Sequence, residues 1–241
     1  MNKTVFAASL LAAFAYASSA QAVVVTQWNF NSKPADTSTS SGLTTPSIGS
    51  GTASLVGGTT ATFASGDASG GSSDPATVDD SAWNTTTYAA QSTGNKTRGA
   101  QFAISTAGFK DVVVSYDLRH SNTSSRYEQF QYSLNGVNFV DFASFDGNAG
   151  DTWFNARTVD LSALAGVNNN ANFAFRVVET FAPSTGAYAA SNSTSAYGTT
   201  GTWRFDMVTL NAAPIPEAET YAMMLAGLGL VGFMAARRRK V

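Results

Sequence analysis

The 241-residue chain contains no cysteine. No disulfide can brace it, so a folded state must rest on core burial, on bound metal, or on both. The same absence removes thiol catalysis and Cys-ligated zinc. Histidine occurs once, at His120, which excludes a His-rich metal centre and a pair of catalytic histidines. Charge is scarce as well, with Asp, Glu, Lys and Arg making up 12% of residues and a net charge of −2. That total conceals a cluster, because Arg237, Arg238, Arg239 and Lys240 nearly close the chain. Between Val23 and Ala213 nine bases face fourteen acids, a charge of −5. A weakly acidic body argues against nucleic acid as a partner, since phosphate binding needs clustered Lys and Arg.

What is present is Ser, Thr, Asn and Gly in abundance, the texture of an extracellular β-protein. Met1–Ala22 has the plan of a Sec-type signal peptide. Lys3 supplies the positive start, and Val5–Ala17 an apolar run broken only by Ser9. Ala20-Gln21-Ala22 then places small residues at −3 and −1, so cleavage is expected between Ala22 and Val23. The run is too short to cross about 30 Å of hydrocarbon at about 1.5 Å per residue. The expected partners are the Sec translocon and signal peptidase.

The other end carries the most specific pattern, Pro214-Ile-Pro-Glu-Ala-Glu-Thr-Tyr followed by an apolar run and the basic cluster. Pro214 and Pro216 favour an extended, accessible segment. Tyr221–Ala236 is apolar and uncharged, enough for a short membrane helix of about 24 Å. Arg237, Arg238, Arg239 and Lys240 form a basic membrane stop that keeps the C-terminus inside. Gly227, Gly229 and Gly232 thin the helix, as small residues do where membrane helices approach closely.

Pro214–Val241 closely resembles the PEP-CTERM sorting signal of Gram-negative bacteria, processed by exosortase-type transpeptidases. The processing motif is Pro216-Glu217-Ala218, with Ala218 where the family has a second proline. The resemblance implies a membrane hold by the C-terminal helix before processing. It further implies delivery from the inner membrane to the cell surface or extracellular matrix, in hosts that make exopolysaccharide.

Between these ends the periodicity is two. In Asp111–Arg119 the residues Val112, Val114, Tyr116 and Leu118 share one face. Phe173, Phe175 and Val177 do so in Asn172–Val178, and Trp203, Phe205 and Met207 in Thr202–Thr209. Further strands are expected at Val23–Phe30, Thr52–Phe63, Gly99–Ser105 and Trp153–Asp160. Asn135-Gly136 predicts a type I′ hairpin turn between Tyr127–Leu134 and Val137–Phe142. Eight or nine such strands, with no helix inside 23–211, predict an all-β, two-sheet antiparallel β-sandwich of jelly-roll type. The expected division is 1–22 signal peptide, 23–211 body and 212–241 sorting segment. Ser38–Ser50, Ser65–Ser73 and Ser184–Thr200 are expected as long, mobile or ligand-facing loops.

Tyr116–Arg126, Gln131–Phe139, Val159–Ser162, Phe175-Arg176 and Trp203–Leu210 together resemble the sandwich of many secreted bacterial surface proteins. Some of those are similar to carbohydrate-binding jelly rolls, so the likeness bears on fold.

Candidate chemistry in the body is thin. Arg119, Arg176 and Arg204 fall opposite the aromatic faces of their strands. They form either a stripe for acidic sugar groups or an Arg–Asp ladder with Asp117 and Asp206, which cross-strand pairing favours. Asp206 is a candidate calcium ligand, and Asp141, Asp146 and Asp151 a second acidic group, so structural calcium is the one cofactor to consider. His120 beside Ser121 lacks a nucleophile-elbow motif and is expected as a loop residue. The reading is therefore a non-catalytic structural or interaction protein, with a carbohydrate-binding module and a secreted hydrolase as alternatives. N-terminal sequencing of the exported protein should return Val23 as its first residue; a start at Met1 would mean the leader is retained.

Overall fold

The computed structural model describes residues 21–216 and 218–238. The leader up to Ala20, together with Glu217, Arg239, Lys240 and Val241, lies outside the described residues. In chain order the strands are β1 (Val23–Trp28), β2 (Thr52–Val56), β3 (Thr60–Ser65), β4 (Ser81–Thr86), β5 (Gly99–Ala103) and β6 (Phe109–His120). They continue as β7 (Tyr127–Ser133), β8 (Val140–Asp146), β9 (Thr152–Asp160), β10 (Ala174–Thr180) and β11 (Trp203–Pro214). All pairings are antiparallel and make two sheets. The first runs β3-β4-β11-β6-β9, and the second β2-β5-β10-β7-β8. The chain repeatedly changes sheet, the habit of a jelly-roll sandwich.

β11 is the spine of the first sheet. One edge pairs along its length with β6, while the other is shared, by β4 near Trp203 and by β1 from Val208 to Ala212. Both sheets turn their apolar faces inward, as period-two strands must when one face meets another sheet. Val112, Val114, Tyr116 and Leu118 are buried as their alternation implies, and so are Phe173, Phe175 and Val177. Aromatic rings dominate the centre. Phe102 stacks on Phe175 at 5.0 Å, Phe175 on Phe130 at 5.2 Å, and Trp28 meets the Phe102 ring edge-on at 5.2 Å.

Several expectations need correction. The stretch Thr52–Phe63 is two strands in different sheets, because Gly57 and Gly58 take φ of 70° and 89° and turn the chain from one layer to the other. Asn135-Gly136 is not a two-residue type I′ turn. Only Gly136 has positive φ, and the Asn135 side chain instead accepts the backbone N–H groups of Val137 and Asn138 at 3.0 and 2.8 Å. That Asx-type cap rounds a longer loop, and pairing resumes at Tyr132–Val140. Met207 does not point inward with Trp203 and Phe205, since a bulge with φ of 45° at Met207 hands the core face to Val208 and Leu210. β4 escaped the periodicity because its buried positions other than Trp83 are the small or polar Ser81, Ala82 and Thr85.

The helix α1 spans Ala218–Arg238, longer at both ends than the apolar stretch Tyr221–Ala236. Met223, Leu225, Leu230, Val231, Phe233 and Met234 are all exposed on it, which is not the pattern of a helix packed on a protein core. Among the described residues no helix is long and apolar enough to cross a membrane.

The centre of the aromatic stack is the place to test the packing. Phe102→Ala should cost about 3–5 kcal/mol of unfolding free energy. Val137→Ala, at an exposed position, should stay within about 0.5 kcal/mol. Urea denaturation of both variants checks the contrast.

Candidate functional site

On the outer face of the first sheet the sequence makes an unusual choice. Arg119 lies opposite Arg204, and Asp117 opposite Asp206, so like charges face each other across β6 and β11. Such pairs repel, and each side chain must find other partners. A segment running from Gly66 to Asp80, between β3 and β4, crosses over this face and supplies many of them. Trp153 Nε1 donates to the Ala68 carbonyl at 2.8 Å, and Asn155 Nδ2 to that of Gly71 at 3.1 Å. The Ser73 and Ala156 N–H groups both donate to the Asp117 carboxylate. Ser65–Ser73, expected as a long, mobile or ligand-facing loop, forms part of a pinned strap, and Asp117, Arg119 and Asp206 are buried beneath it.

Two bulges make room. At Ala156 in β9, with φ of 53°, the register against β6 slips between Tyr116 and Leu118. At Met207 the register between β6 and β11 slips after Asp206. Bulges re-aim side chains locally, and here each sits at an aspartate: Asp117 accepts the Ala156 N–H, and Asp206 Oδ1 the Met207 N–H at 2.7 Å.

Under the strap, Asp74, Asp80 and Asp206 converge, with one carboxylate oxygen from each lying within 4.8 Å of the others. Asp206 and Asp80 are buried and Asp74 half-buried. Asp74 accepts from Ala76 N–H at 2.9 Å and Asn31 Nδ2 at 2.8 Å, and Asp206 Oδ2 accepts from Ser72 Oγ at 2.8 Å. Neither oxygen of Asp80 has a hydrogen-bond partner. Burial, then the nearby charges of Asp67 and Asp74, push the Asp80 carboxyl up to about 7. Burial likewise holds Asp206 well above the carboxylate range. Gly66 completes the wall, since a Cβ there would overlap Asp80 Oδ1. Asp206 alone was legible as a ligand; its companions come from a loop with no metal motif.

The other sequence candidates separate. Arg176 lies on β10 in the second sheet, where its Nε donates to Gln101 Oε1 at 2.7 Å and its guanidinium covers the Phe139 ring at 3.5 Å. It cannot share a stripe with Arg119 and Arg204. The expected ladder with Asp117 and Asp206 is absent too. Arg119 pairs with Asp151, while Arg204 donates to the Ser65 carbonyl at 2.9 Å. Asp141, Asp146 and Asp151 are no acidic cluster, because each is matched to its own cation, Lys96, Arg126 and Arg119. His120 is not a loop residue. It ends β6 fully buried, its Nδ1 2.9 Å from the Ser125 carbonyl, and burial depresses its pKa to about 3. The neutral ring therefore donates from Nδ1.

Two buried glutamates were missed by sequence reasoning. Glu128, pushed up to about 7 by burial, lies 2.8 Å from Arg157 Nε, close enough for an ion pair although not aligned as a hydrogen bond. Glu179 accepts the Ala89 N–H at 2.6 Å and the Tyr197 hydroxyl at 2.7 Å. Burial also raises its carboxyl to about 7, against the pull of those hydrogen bonds and the Arg98 charge.

At the tail, β11 runs into the processing motif. Pro214 still pairs with Phe109, and Ile215 donates to the Gly108 carbonyl at 2.8 Å. Pro214 is therefore held at the sheet's end, where a missing N–H is tolerated, whereas Pro216 is exposed. The helix begins at Ala218, so residues 215–217 are the whole spacer. At the other terminus Val23, the expected first mature residue, opens β1 and pairs with Ala212.

Residues 214–240 match the PEP-CTERM protein-sorting motif. No curated protein matches the chain. The motif marks an exported, exosortase-targeted protein that travels through the secretion machinery to the cell envelope or surface.

Glu179 offers a pH test away from the aspartate cluster. Its carboxyl titrates near 4.5 in the unfolded chain and about 7 in the fold, so the folded state binds the proton more tightly. Stability should therefore fall as pH rises across that window, and the penalty is complete above 7. In Glu179→Gln the loss between pH 5 and pH 8 should shrink by on the order of 2 kcal/mol. Denaturation midpoints at the two pH values check this; an unchanged loss would place the pH dependence elsewhere.

Proposed function

We propose that the chain is a processed, non-catalytic surface or matrix protein of a Gram-negative bacterium, associated with exopolysaccharide. The observation that carries the reading is the sorting motif over 214–240, which begins at the last ladder pair of the sandwich, Pro214 with Phe109. In transit the helix, whose apolar stretch is shorter than a full span, holds the protein at the inner membrane, its exposed apolar side chains facing lipid and the basic cluster toward the cytoplasmic side. The sandwich stands outside, and the cut falls around Pro216, Glu217 and Ala218, next to the exposed Ile215 and Pro216.

A structural or interaction role suits the body. The chain's only histidine is locked in the core with Nδ1 committed to a backbone carbonyl. Arg119 is tied into the fold by Asp151, and Arg176 by Gln101 and Phe139. The surface is rich in Ser, Thr and Asn, which suits a hydrated polysaccharide matrix.

Mass spectrometry of both termini decides the processing. In a host with an exosortase, protein recovered from the cell surface should begin at Val23 and lack the helix and Arg237–Lys240. Replacing Pro216 and Glu217 by alanine should leave an uncut form in the inner membrane. An intact Val241 on surface protein would make the tail an ordinary anchor.

A further inference from the structure

We propose that Asp74, Asp80 and Asp206 form a calcium site that fastens the 66–80 strap to the outer face of the first sheet. The inference is independent of the sorting signal. It begins with the convergence of three carboxylates within 4.8 Å, which alone could be a chance gathering of acids.

Asp80 makes the case. It is 1% exposed, and neither of its oxygens has a hydrogen-bond partner. A buried carboxylate with nothing opposite it is among the costliest groups a fold can carry. No guanidinium or ammonium compensates: among the described residues the salt bridges engage Asp111, Glu128, Asp141, Asp146 and Asp151, none of them in this cluster. Arg204, two positions from Asp206, turns its guanidinium to the Ser65 carbonyl and Asn84. A bound cation would meet the free oxygens of Asp80 directly.

The surroundings are built for that occupant. Asp74 and Asp206 are oriented by donors, the Ala76 and Met207 N–H groups, Asn31 Nδ2 and Ser72 Oγ. Such donors fix the orientation of both carboxylates. Gly66 brings its backbone against Asp80 where any Cβ would collide. The ligands are all oxygen, with no imidazole and no thiolate, which selects a hard cation over zinc or copper. They come from a bulged strand and a strap rather than a regular frame. Such a set suits calcium, which takes six to eight oxygens in flexible geometry, better than magnesium, which demands a near-ideal octahedron. Three carboxylates leave the rest of the shell to be filled by backbone carbonyls or water. Dissociation constants for extracellular calcium modules are about 10⁻⁴–10⁻³ M.

The test uses the purified full-length protein, stripped with EDTA at neutral pH. Calcium titrated to about 10 mM should raise the thermal midpoint saturably, and calorimetry should return one ion per chain with an affinity in that extracellular range. Magnesium should bind at least tenfold more weakly. Asp80→Asn and Asp206→Asn should weaken calcium binding at least tenfold. If either fails to fold, Asp74→Asn, at the half-buried ligand, should show the same loss. Asp141→Asn, at an aspartate paired with Lys96 on the second sheet, should leave the affinity unchanged. No saturable calcium effect on the wild type overturns the proposal and leaves a protonated carboxyl cluster. So does a calcium response unaltered in the Asp74, Asp80 and Asp206 variants, which would put the ion elsewhere.

Discussion

Phe102 and Phe175 stack face to face across β5 and β10, and the body is organised around that contact. Trp28, Trp83 and Phe205 reach Phe102 from the first sheet, so one ring joins both layers. In a chain without cysteine, the denatured state is not restrained by any cross-link. Burial between the sheets has to supply the stability, and large aromatic rings supply the most area per residue. Their geometry adds about 0.5–1.5 kcal/mol per well-placed pair beyond area.

That core offsets an expensive second layer. On the outer face of the first sheet the protein buries Asp117, Arg119 and Asp206, with like charges opposed across β6 and β11. The strap and the two bulges answer this locally: Asp117 takes two backbone N–H groups, Arg119 takes Asp151, and Asp206 takes Ser72 and Met207. Asp80 alone is left without an answer from the protein. The polar face is therefore a compartment with its own ligand logic, distinct from the apolar layer a few ångströms beneath it.

How much of this could be read in advance follows from how local each signal is. Phe109–His120 and Ala174–Thr180 announced themselves because their inward positions carry large apolar side chains, Val112, Val114, Tyr116 and Leu118 in one and Phe175 and Val177 in the other. β4 did not, because two of its three inward positions are the polar Ser81 and Thr85, which leave Trp83 as its one large apolar side chain. The passage between sheets at Gly57 and Gly58 reads in sequence as an interruption in one strand. The Met207 bulge is invisible to a period-two count, which assumes an unbroken pleat. The tail was legible because its motif is contiguous. The aspartate site was legible only at Asp206, since its partners are joined to it by folding across most of the body, and His120 and the three arginines were misplaced for the same reason.

The short spacer has a mechanical consequence. Residues 215–217 reach only about 10 Å, so the tail grips the sandwich directly through β11. That strand is held on both edges, by β6 on one side and by β4 and β1 on the other. A pull on the anchored end runs along the strand, perpendicular to the ladder hydrogen bonds, and loads both rows together in shear rather than peeling them one at a time. Asp206 sits eight residues upstream, about 26 Å along the same strand. The sorting tail and the strapped acidic face are thus joined by one backbone line, gripped along both of its edges.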